Sequence, residues 1–171
     1  MTTPSIYVAC LAAYNNGKLH GVWIDALNND PDEIMGQIQA MLKASPELDA
    51  EEWALHDYEG FEGIRLSEWE GLEQVHMLAQ FVDGYGPLGA KLLEHCDNEI
   101  HIARAVMSDG YAGCYANLAD FAQELTEDTT KIPENLRYYI DYEYMGRDME
   151  MSGDIFTIET AHDEVHVFWS R

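Results

Sequence analysis

SIYVACLAAYNNGKLHGVWIDA, residues 5–26, decides how the fold begins. Two apolar runs rich in β-forming residues, Ser5 to Ala13 and Leu19 to Ala26, flank Asn15-Asn16-Gly17. An Asn-Gly pair between two such runs is a strong hairpin signal, because both residues tolerate the positive φ of a tight turn. The stretch therefore predicts two antiparallel strands joined by a hairpin.

The residues after this hairpin predict a helix and a third strand. Asp30 can cap the helix, Pro31 suits its first turn, and Glu33 can complete a capping box. The apolar face of the helix consists of Ile34, Ile38, Met41 and Leu42. Ser45-Pro46 ends the helix, and residues 52–58 predict a strand. The N-terminal part of the chain is thus predicted to be a β-β-α-β unit.

The middle of the chain carries helical patterns throughout. Ser67 and Glu70 form a second capping-box pair, which precedes the apolar positions of the next helix. Those positions are Leu72, Val75, Met77, Leu78 and Phe81. Two shorter helical patterns, at 88–96 and 100–107, come after the glycine-rich residues 84–89.

The last part of the chain mixes strands and helices. Asp109-Gly110 precedes a predicted strand at 111–115 and a predicted helix at 118–125. Pro133 is predicted to open a helix that carries Leu136, Tyr139, Ile140 and Tyr144, and residues 155–158 and 165–169 predict a terminal hairpin. Together these patterns predict an α+β fold of three small domains: a β-β-α-β N-terminal unit at 1–61, a helical middle at 62–108 and a mixed α/β C-terminal unit at 109–171.

Composition excludes several classes of protein. At 47% hydrophobic and 11% aromatic residues, the chain is too apolar for a disordered acidic tail. No apolar run approaches the ~20 residues needed to cross a bilayer, and the N-terminus lacks the basic start of a signal peptide. We therefore expect a cytoplasmic protein. Its three widely spaced cysteines, Cys10, Cys96 and Cys114, are expected to be small buried hydrophobes.

Negative charge dominates the surface that this fold must present. The chain has 32 acidic and 9 basic residues, a formal net charge of −23. The densest stretch, which we call the acidic segment, spans residues 47–73 and contains a single cation, Arg65. Its acids are Glu47, Asp49, Glu51, Glu52, Asp57, Glu59, Glu62, Glu68, Glu70 and Glu73. Ordinary surfaces intersperse both signs, so this segment points to a strongly positive partner.

The charge of the whole chain is comparable to that of a short piece of DNA. Duplex DNA carries one negative charge per ~1.7 Å of its axis, so a charge of −23 equals that of roughly a dozen base pairs. Protein imitation of DNA is therefore physically feasible. Halophilic proteins, ion buffers and solubilising tails are acidic too, and charge alone does not separate these classes.

Motifs for cofactors, metals and catalysis are weak. Residues 84–89 fit G-x-G-x-x-G, but they follow a helical pattern in anionic surroundings, so we expect a turn between helices instead of a dinucleotide site. The groups His95, Cys96 and His101, and His162 with His166, lack the spacing of a zinc site. Residues 25–33 lack the glycine and closing glutamate of a calcium loop. We predict no cofactor, no bound metal and no enzymatic activity.

The N-terminal and C-terminal segments resemble one known family. The N-terminal segments are PSIYVA at 4–9, LAAYN at 11–15 and GKLHGVWIDA at 17–26. The C-terminal segments are YYIDYE at 138–143, Arg147-Asp148 and GDIFT at 153–157. The first set resembles the N-terminus of ArdA-type antirestriction proteins, and the second resembles that family's antirestriction motif. Gly146 departs from the alanine expected in the motif, a change that lowers local helix propensity by ~1 kcal/mol.

The resemblance implies a curved, elongated protein of three small domains that dimerises through the C-terminal one and mimics bent B-form DNA. It further implies inhibition of type I restriction-modification enzymes, by occupation of the DNA-binding groove of their methyltransferase core, in the service of mobile genetic elements. Neither a membrane nor nucleic acid is expected as a direct partner. Two alternatives stay open: an acidic module for another basic DNA-binding protein, and a small carboxylate-dependent hydrolase with a carboxyl group of raised pKa.

Two sets of residues carry the predicted function. The first is the mimic surface: the ten acids of the acidic segment, supplemented by Asp83, Glu94, Asp97, Asp109, Asp120, Glu124, Glu127 and Asp128. The second is the antirestriction motif: Leu136, Tyr138, Tyr139, Ile140, Asp141, Tyr142, Tyr144, Arg147 and Asp148. The aromatic part of the motif fits two roles equally well, packing within its own domain or contact across a dimer interface.

Overall fold

A computed structural model describes residues 2–170 of the chain. The fold is α+β, as predicted, with 47% of residues in helices and 21% in strands. The chain divides into two compact units, Met1–Glu94 and His95–Arg171. The division into three domains stays a prediction.

The first unit is a three-stranded sheet with helices. Its elements are β1 (Ser5–Cys10), α1 (Leu11–Asn15), β2 (Gly21–Asp25), α2 (Pro31–Lys43), β3 (Trp53–Glu59) and α3 (Leu72–His95), whose last residue is counted with the second unit. The sheet has the order β2-β1-β3 with antiparallel pairing throughout, and α2 packs against β1 and β2. Ile6, Val8, Ile24, Ile34 and Ile38 form its buried centre.

The predicted pairing of the first two strands is confirmed, but the predicted tight hairpin is wrong. β1 pairs with β2 from Ser5 opposite Asp25 to Ala9 opposite Gly21. The strand ends at Cys10, and the short helix α1 forms the connection. Two observations explain why a helix replaces the tight turn. Ala13 is buried, and the Leu11 N–H donates to the Glu52 carbonyl at 3.0 Å. The connection is thus packed against the chain before β3.

The predicted start of α2 is confirmed. The Glu33 N–H donates to the Asp30 carboxylate at 2.8 Å, and the Asp30 N–H donates to the Glu33 carboxylate at 2.9 Å. This reciprocal pair satisfies two amide donors that the helix itself leaves free. The helix buries Ile34, Ile38 and Met41, three of the four predicted apolar positions.

The second predicted capping box forms its hydrogen bond but does not open a helix. The Ser67 N–H donates to the Glu70 carboxylate at 3.1 Å, yet residues 67–70 form a turn and α3 begins at Leu72. The Leu55 N–H donates to the Glu68 carbonyl at 3.0 Å and ties this turn to β3. Within α3, Gly86 has φ 58° and ψ −142°, so the glycine-rich residues break the helix as predicted.

The second unit is a three-stranded antiparallel sheet with three helices. Its elements are α4 (Ile100–Asp109), β4 (Tyr111–Tyr115), α5 (Leu118–Thr129), a 3₁₀ turn (Glu134–Tyr139), α6 (Tyr142–Met151), β5 (Ile155–Ala161) and β6 (Glu164–Trp169). The strand order is β4-β6-β5, and β5 and β6 form the predicted terminal hairpin. Phe121, Ile155, Val165 and Val167 form a buried cluster, and α5 packs against α6.

The helix predicted to start at Pro133 is wrong. Glu134–Tyr139 forms only a 3₁₀ turn without a buried residue, because no apolar face of this segment packs on the unit. The chain is extended at Ile140, and α6 begins after Asp141, whose carboxylate accepts the Tyr144 N–H at 2.9 Å. Tyr144 therefore lies in α6, a separate helix from the one predicted.

The cysteines only partly follow the prediction that all three are buried. Cys10 is buried, Cys96 is half-buried, and Cys114 is exposed on the edge strand β4. Successive side chains of a strand lie on opposite faces of its sheet, and an antiparallel sheet can leave one of those faces in solvent, which accounts for the exposure of Cys114. Within residues 2–170, no helix is long and apolar enough to cross a membrane.

Candidate functional site

The acids of the acidic segment lie on four successive parts of the first unit. Glu47, Asp49, Glu51 and Glu52 precede β3; Asp57 and Glu59 lie on β3; Glu62, Glu68 and Glu70 follow it; and Glu73 lies in the first turn of α3. Eight of the ten are exposed, whereas Glu47 and Glu70 are half-buried. Asp57 and Glu59 are two residues apart on an edge strand, so their side chains share one face.

Few cations offset this charge. Lys18 donates to the Glu47 carboxylate at 2.7 Å, and this hydrogen bond holds the pKa of Glu47 below its usual range, although desolvation acts in the opposite direction. In the described part of the chain, the other nine acids of the segment form no salt bridge. Their negative charges are therefore available to a partner.

A second acidic surface lies on α5. Asp120, Glu124, Glu127 and Asp128 are exposed, and Phe121 and Ala122 are buried on the opposite side. Like charges four residues apart on a helix repel each other, and each such pair destabilises the helix by ~0.2–0.5 kcal/mol. Asp120 with Glu124, and Glu124 with Asp128, are two such pairs. Local interactions offset part of this repulsion, because Asp120 lies in the first turn of α5 and the Tyr115 hydroxyl donates to the Glu124 carboxylate at 3.2 Å.

The remaining predicted acids are also at the surface. Asp83 and Glu94 are exposed on α3, Asp97 follows α3, and Asp109 ends α4. Across the chain, all but three of the 32 acidic residues are exposed; Asp25, Glu47 and Glu70 are half-buried. The predicted acids divide between the two units, with those up to Glu94 in the first and the other six in the second.

Three of these acids adopt backbone conformations that favour glycine or asparagine. Asp49, Glu62 and Asp97 have φ values of 57°, 52° and 54°. An L-residue in the left-handed region carries a conformational cost of roughly 1–2 kcal/mol. Aspartate tolerates this region better than most residues, so only Glu62 is held there at a clear local cost.

A cleft in the first unit adds aromatic surface to these charges. It has a volume of about 670 Å³, and we call it the tryptophan cleft. Its lining combines apolar residues with four glutamates: Met35, Trp53, Trp69, Gly71, Leu72, Glu51, Glu52, Glu70 and Glu73. Trp69 is 68% exposed. The sequence prediction identified the glutamates and missed both tryptophans. The position of Trp69 between Glu68 and Glu70 was a signal of exposure, but not of a cleft.

The antirestriction motif is mostly exposed. Tyr138 and Tyr139 are 88% and 85% exposed on the 3₁₀ turn, and Leu136 and Tyr144 are exposed as well. These four side chains are not part of a domain core, so that alternative is wrong for them. Ile140 and Tyr142 are half-buried; Asp141 caps α6; Arg147 pairs with Glu143 at 3.5 Å; and Asp148 is exposed.

Two of the histidines considered above as metal ligands have other contacts. The His95 ring stacks on Phe156 at a centroid distance of 4.1 Å, and His166 hydrogen-bonds with the Tyr111 hydroxyl at 2.8 Å. Within residues 2–170, no group of three or more His, Cys, Asp or Glu side chains is arranged to hold a metal ion. Burial lowers the pKa of His166, and nearby Glu164 opposes this shift.

Carboxyl groups with shifted pKa values do not resemble the acid of a hydrolase. Burial raises the pKa of Asp25, but hydrogen bonds from the Asn28 side chain and from the Asn28 and Leu27 amides outweigh it, so the pKa is lowered. The pKa of Glu47 is lowered as well. A general acid at neutral pH requires the opposite direction.

Comparison with known proteins adds to this picture of an exposed, strongly acidic α+β chain. The family model described as Antirestriction protein (ArdA) matches residues 6–164, nearly the whole chain. The chain belongs to the ArdA antirestriction family. None of the curated proteins compared with it matches.

The ArdA match covers both surfaces described above. It begins in β1, contains the acidic segment and the acidic face of α5, and extends through the antirestriction motif into β6. ArdA proteins are non-catalytic antirestriction proteins, in agreement with the predicted class. The tryptophan cleft lies within the matched residues too.

Proposed function

We propose that this ArdA protein mimics B-form DNA and competitively occupies the DNA-binding groove of type I restriction-modification enzymes, thereby protecting incoming mobile DNA. The observation that carries the proposal is the exposure of all but three of 32 acidic residues on a folded chain with 9 basic ones. A groove that binds the phosphates of DNA is lined by cations. An acidic protein surface can therefore compete with DNA for that groove.

The rigid placement of the acids on strands and helices also supports this mechanism. Asp57 and Glu59 are held on a paired strand, and the acids of α5 are held on a helix whose other side is buried. Charges fixed in this way avoid most of the ordering cost that a flexible polyanion incurs on binding. A rigid array also reproduces one property that separates DNA from a disordered acidic tail.

Distributed charge implies a graded response to mutation. Replacing one exposed acid is expected to have little effect, whereas replacing several neighbours weakens the complex markedly. A single acid whose replacement abolishes inhibition without unfolding the protein would contradict mimicry. The proposed mimic surface comprises the acidic segment and the eight further acids named above.

We extend the proposal to the oligomeric state and the domains. The C-terminal part, residues 109–171, is proposed to form a homodimer, with Leu136, Tyr138, Tyr139 and Tyr144 at the interface. Their exposure supports this role, because aromatic residues are enriched in interfaces. Analytical ultracentrifugation at micromolar concentration tests it, and a monomer would contradict it. Further domains at 1–61 and 62–108 complete the proposed three-part organisation.

Competition for a type I methyltransferase tests the central proposal. A labelled DNA duplex is displaced from the purified methyltransferase by the wild-type protein at low salt, and displacement fades as salt rises. A triple variant, Asp57→Asn, Glu59→Gln and Glu62→Gln, is expected to bind about tenfold more weakly, because three adjacent charges are lost. Circular dichroism verifies that each variant is folded.

A matched variant controls for net charge alone. Asp32→Asn, Asp154→Asn and Asp163→Asn remove the same charge from exposed acids outside the acidic segment. This control is expected to bind within about threefold of the wild type, because each of its three charges lies outside the proposed mimic surface and contributes little to binding. If folded wild-type protein displaces no DNA at low salt, mimicry is wrong for that enzyme, and a pull-down for another basic partner follows.

A further inference from the structure

The tryptophan cleft is built on a turn that holds Trp69 in solvent. The Trp69 N–H donates to the Ser67 hydroxyl at 3.1 Å, and the Glu70 N–H donates to the Ser67 carbonyl at 3.2 Å. The Ser67 N–H in turn donates to the Glu70 carboxylate at 3.1 Å. The Leu55–Glu68 backbone bond fixes this turn to β3. These hydrogen bonds fix the backbone of the turn, and that backbone places the Trp69 indole in solvent.

The tryptophan cleft exposes apolar surface that is not buried within the fold, including most of the Trp69 side chain. Met35, Trp53 and Leu72 line the same cleft, and Trp53 is only half-buried. Large aromatic side chains supply much of the energy of core and interface packing, because each can bury roughly 150–250 Å². A partner group that entered the cleft would gain this burial.

The charge around the cleft determines whether a cationic, neutral or anionic group fits it best. Glu51, Glu52, Glu70 and Glu73 line it, and none of the lining residues that the structure describes is basic. An anionic group would be repelled, and a neutral apolar group would leave the carboxylates without a counter-charge. A cation gains from both features, because it is attracted to carboxylates and to the faces of aromatic rings.

Arginine fits this combination better than lysine. Its planar guanidinium stacks on an indole, is weakly hydrated, and presents a fork of donors that matches a carboxylate. We propose that the tryptophan cleft binds an arginine side chain of a basic protein partner, with the guanidinium against the tryptophans and paired with the glutamates. The identity of that partner as a restriction-modification enzyme rests on the proposed function above.

The proposal implies that one site on the acidic surface, which we call the arginine anchor, contributes a large share of the binding energy. Interface hot spots are enriched in tryptophan and arginine and cluster in well-packed pockets. Loss of Trp69 should therefore weaken the complex without changing its salt dependence, whereas loss of neighbouring acids lowers the salt dependence as well. This difference separates the anchor from distributed mimicry.

A short peptide tests the ligand chemistry without any enzyme. The chain has four tryptophans, whose indole N–H signals can be followed separately by NMR. Titration with the capped tripeptide Gly-Arg-Gly is expected to shift the Trp53 and Trp69 signals and to leave Trp23 and Trp169 unchanged. The same peptide with citrulline, which is neutral, is expected to produce no shift, and one with lysine a smaller shift. Equal shifts with arginine and citrulline would overturn the proposal, as would no shift with arginine.

A binding experiment tests the anchor in the complex. Trp69→Ala is expected to weaken binding to the methyltransferase about tenfold at fixed salt, with an unchanged dependence on salt concentration. Trp23→Ala, which removes another exposed indole of the same unit, is expected to change binding less than about twofold.

The two experiments separate this inference from the proposed function. If wild-type protein fails to bind the enzyme but the arginine peptide shifts Trp53 and Trp69, the arginine site is supported and mimicry of DNA toward that enzyme is wrong. If the enzyme binds wild type and Trp69→Ala equally well, the arginine anchor is overturned and mimicry stands.

Discussion

Gly146 shows how one residue can set the distance between two helices. It is buried in α6, and a Cβ added there would lie 2.8 Å from the Leu118 carbonyl oxygen and 2.9 Å from the Leu118 Cβ. The resemblance suggested that glycine in place of alanine costs only local helix propensity. The structure corrects this view, because the missing methyl group permits the contact between α6 and the start of α5.

Gly146→Ala is therefore expected to destabilise the protein. Overpacking costs roughly 1–3 kcal/mol, and alanine gains ~1 kcal/mol over glycine in helix propensity. Because the close contact is with backbone as well as side-chain atoms, we expect the overpacking cost to be the larger of the two. Gly36→Ala is the matched control, because Gly36 lies in α2 with no atom within 4 Å of an added Cβ. It is expected to raise the free energy of unfolding by ~1 kcal/mol. Urea denaturation measures both, and stabilisation by both substitutions would contradict the close-contact argument.

Tyr142 carries a second residue-scale prediction. Its hydroxyl oxygen is buried and has no hydrogen-bond partner in the described part of the chain. An unsatisfied buried polar group costs about 1–3 kcal/mol, so Tyr142→Phe is expected to raise the free energy of unfolding by ~1 kcal/mol. Tyr111→Phe removes the 2.8 Å hydrogen bond to His166 and is expected to lower it by ~1 kcal/mol.

Denaturation at two protein concentrations distinguishes the origins of a Tyr142 effect. Destabilisation by Tyr142→Phe only at the higher concentration would mean that dimerisation rearranges this site and gives the buried hydroxyl a partner. Destabilisation at both concentrations would contradict the prediction of an unsatisfied group.

At the scale of elements, the break in α3 depends on one backbone conformation. Gly86 has φ 58° and ψ −142°, close to a region that is nearly exclusive to glycine, and Pro87 follows it. Gly86→Ala is expected to lower the free energy of unfolding by roughly 1–3 kcal/mol through backbone strain alone, since an added Cβ meets nothing within 4 Å. Gly84→Ala, two residues earlier in helical conformation, is expected to be neutral or stabilising. Equal effects of the two substitutions in thermal unfolding would contradict the role of Gly86.

Local sequence signals predicted those elements whose stabilising contacts are local. The Asp30 and Glu33 pair opened α2 as expected, because its hydrogen bonds join residues three apart. The Ser67 and Glu70 pair has the same spacing, but the Leu55 amide holds the Glu68 carbonyl and keeps residues 67–70 in a turn. Likewise, the Leu11 N–H donates to the Glu52 carbonyl, and α1 takes the place of a tight hairpin at Asn16-Gly17. These two hydrogen bonds join residues that are 13 and 41 apart in the chain, so neither motif could reveal them.

The same distinction applies to the candidate site. The exposure of the acids followed from charge, because an unpaired carboxylate is rarely buried. Exposure of Tyr138 and Tyr139 was one of two open alternatives, since an aromatic stretch suits a core and an interface alike. The tryptophan cleft could not be predicted, because α2, β3 and the turn before α3 contribute to it from distant parts of the sequence.

At the scale of the whole molecule, charge acts in opposite directions on folding and on binding. A net charge of −23 disfavours the compact state through self-repulsion. Salt screens that repulsion, since the Debye length falls from about 30 Å at 10 mM to about 10 Å at 100 mM ionic strength. The same screening weakens attraction to a cationic groove.

We therefore expect the midpoint of thermal unfolding to rise between 10 mM and 100 mM salt while affinity for the methyltransferase falls by about tenfold or more. Scanning calorimetry and a DNA-displacement titration in matched buffers measure the two quantities. The triple variant of Asp57, Glu59 and Glu62 should show a smaller rise in melting temperature and a weaker salt dependence of binding, because both effects come from the same charges. A fall of stability and affinity together would mean that binding is lost through unfolding, and it would contradict an electrostatic origin of the complex.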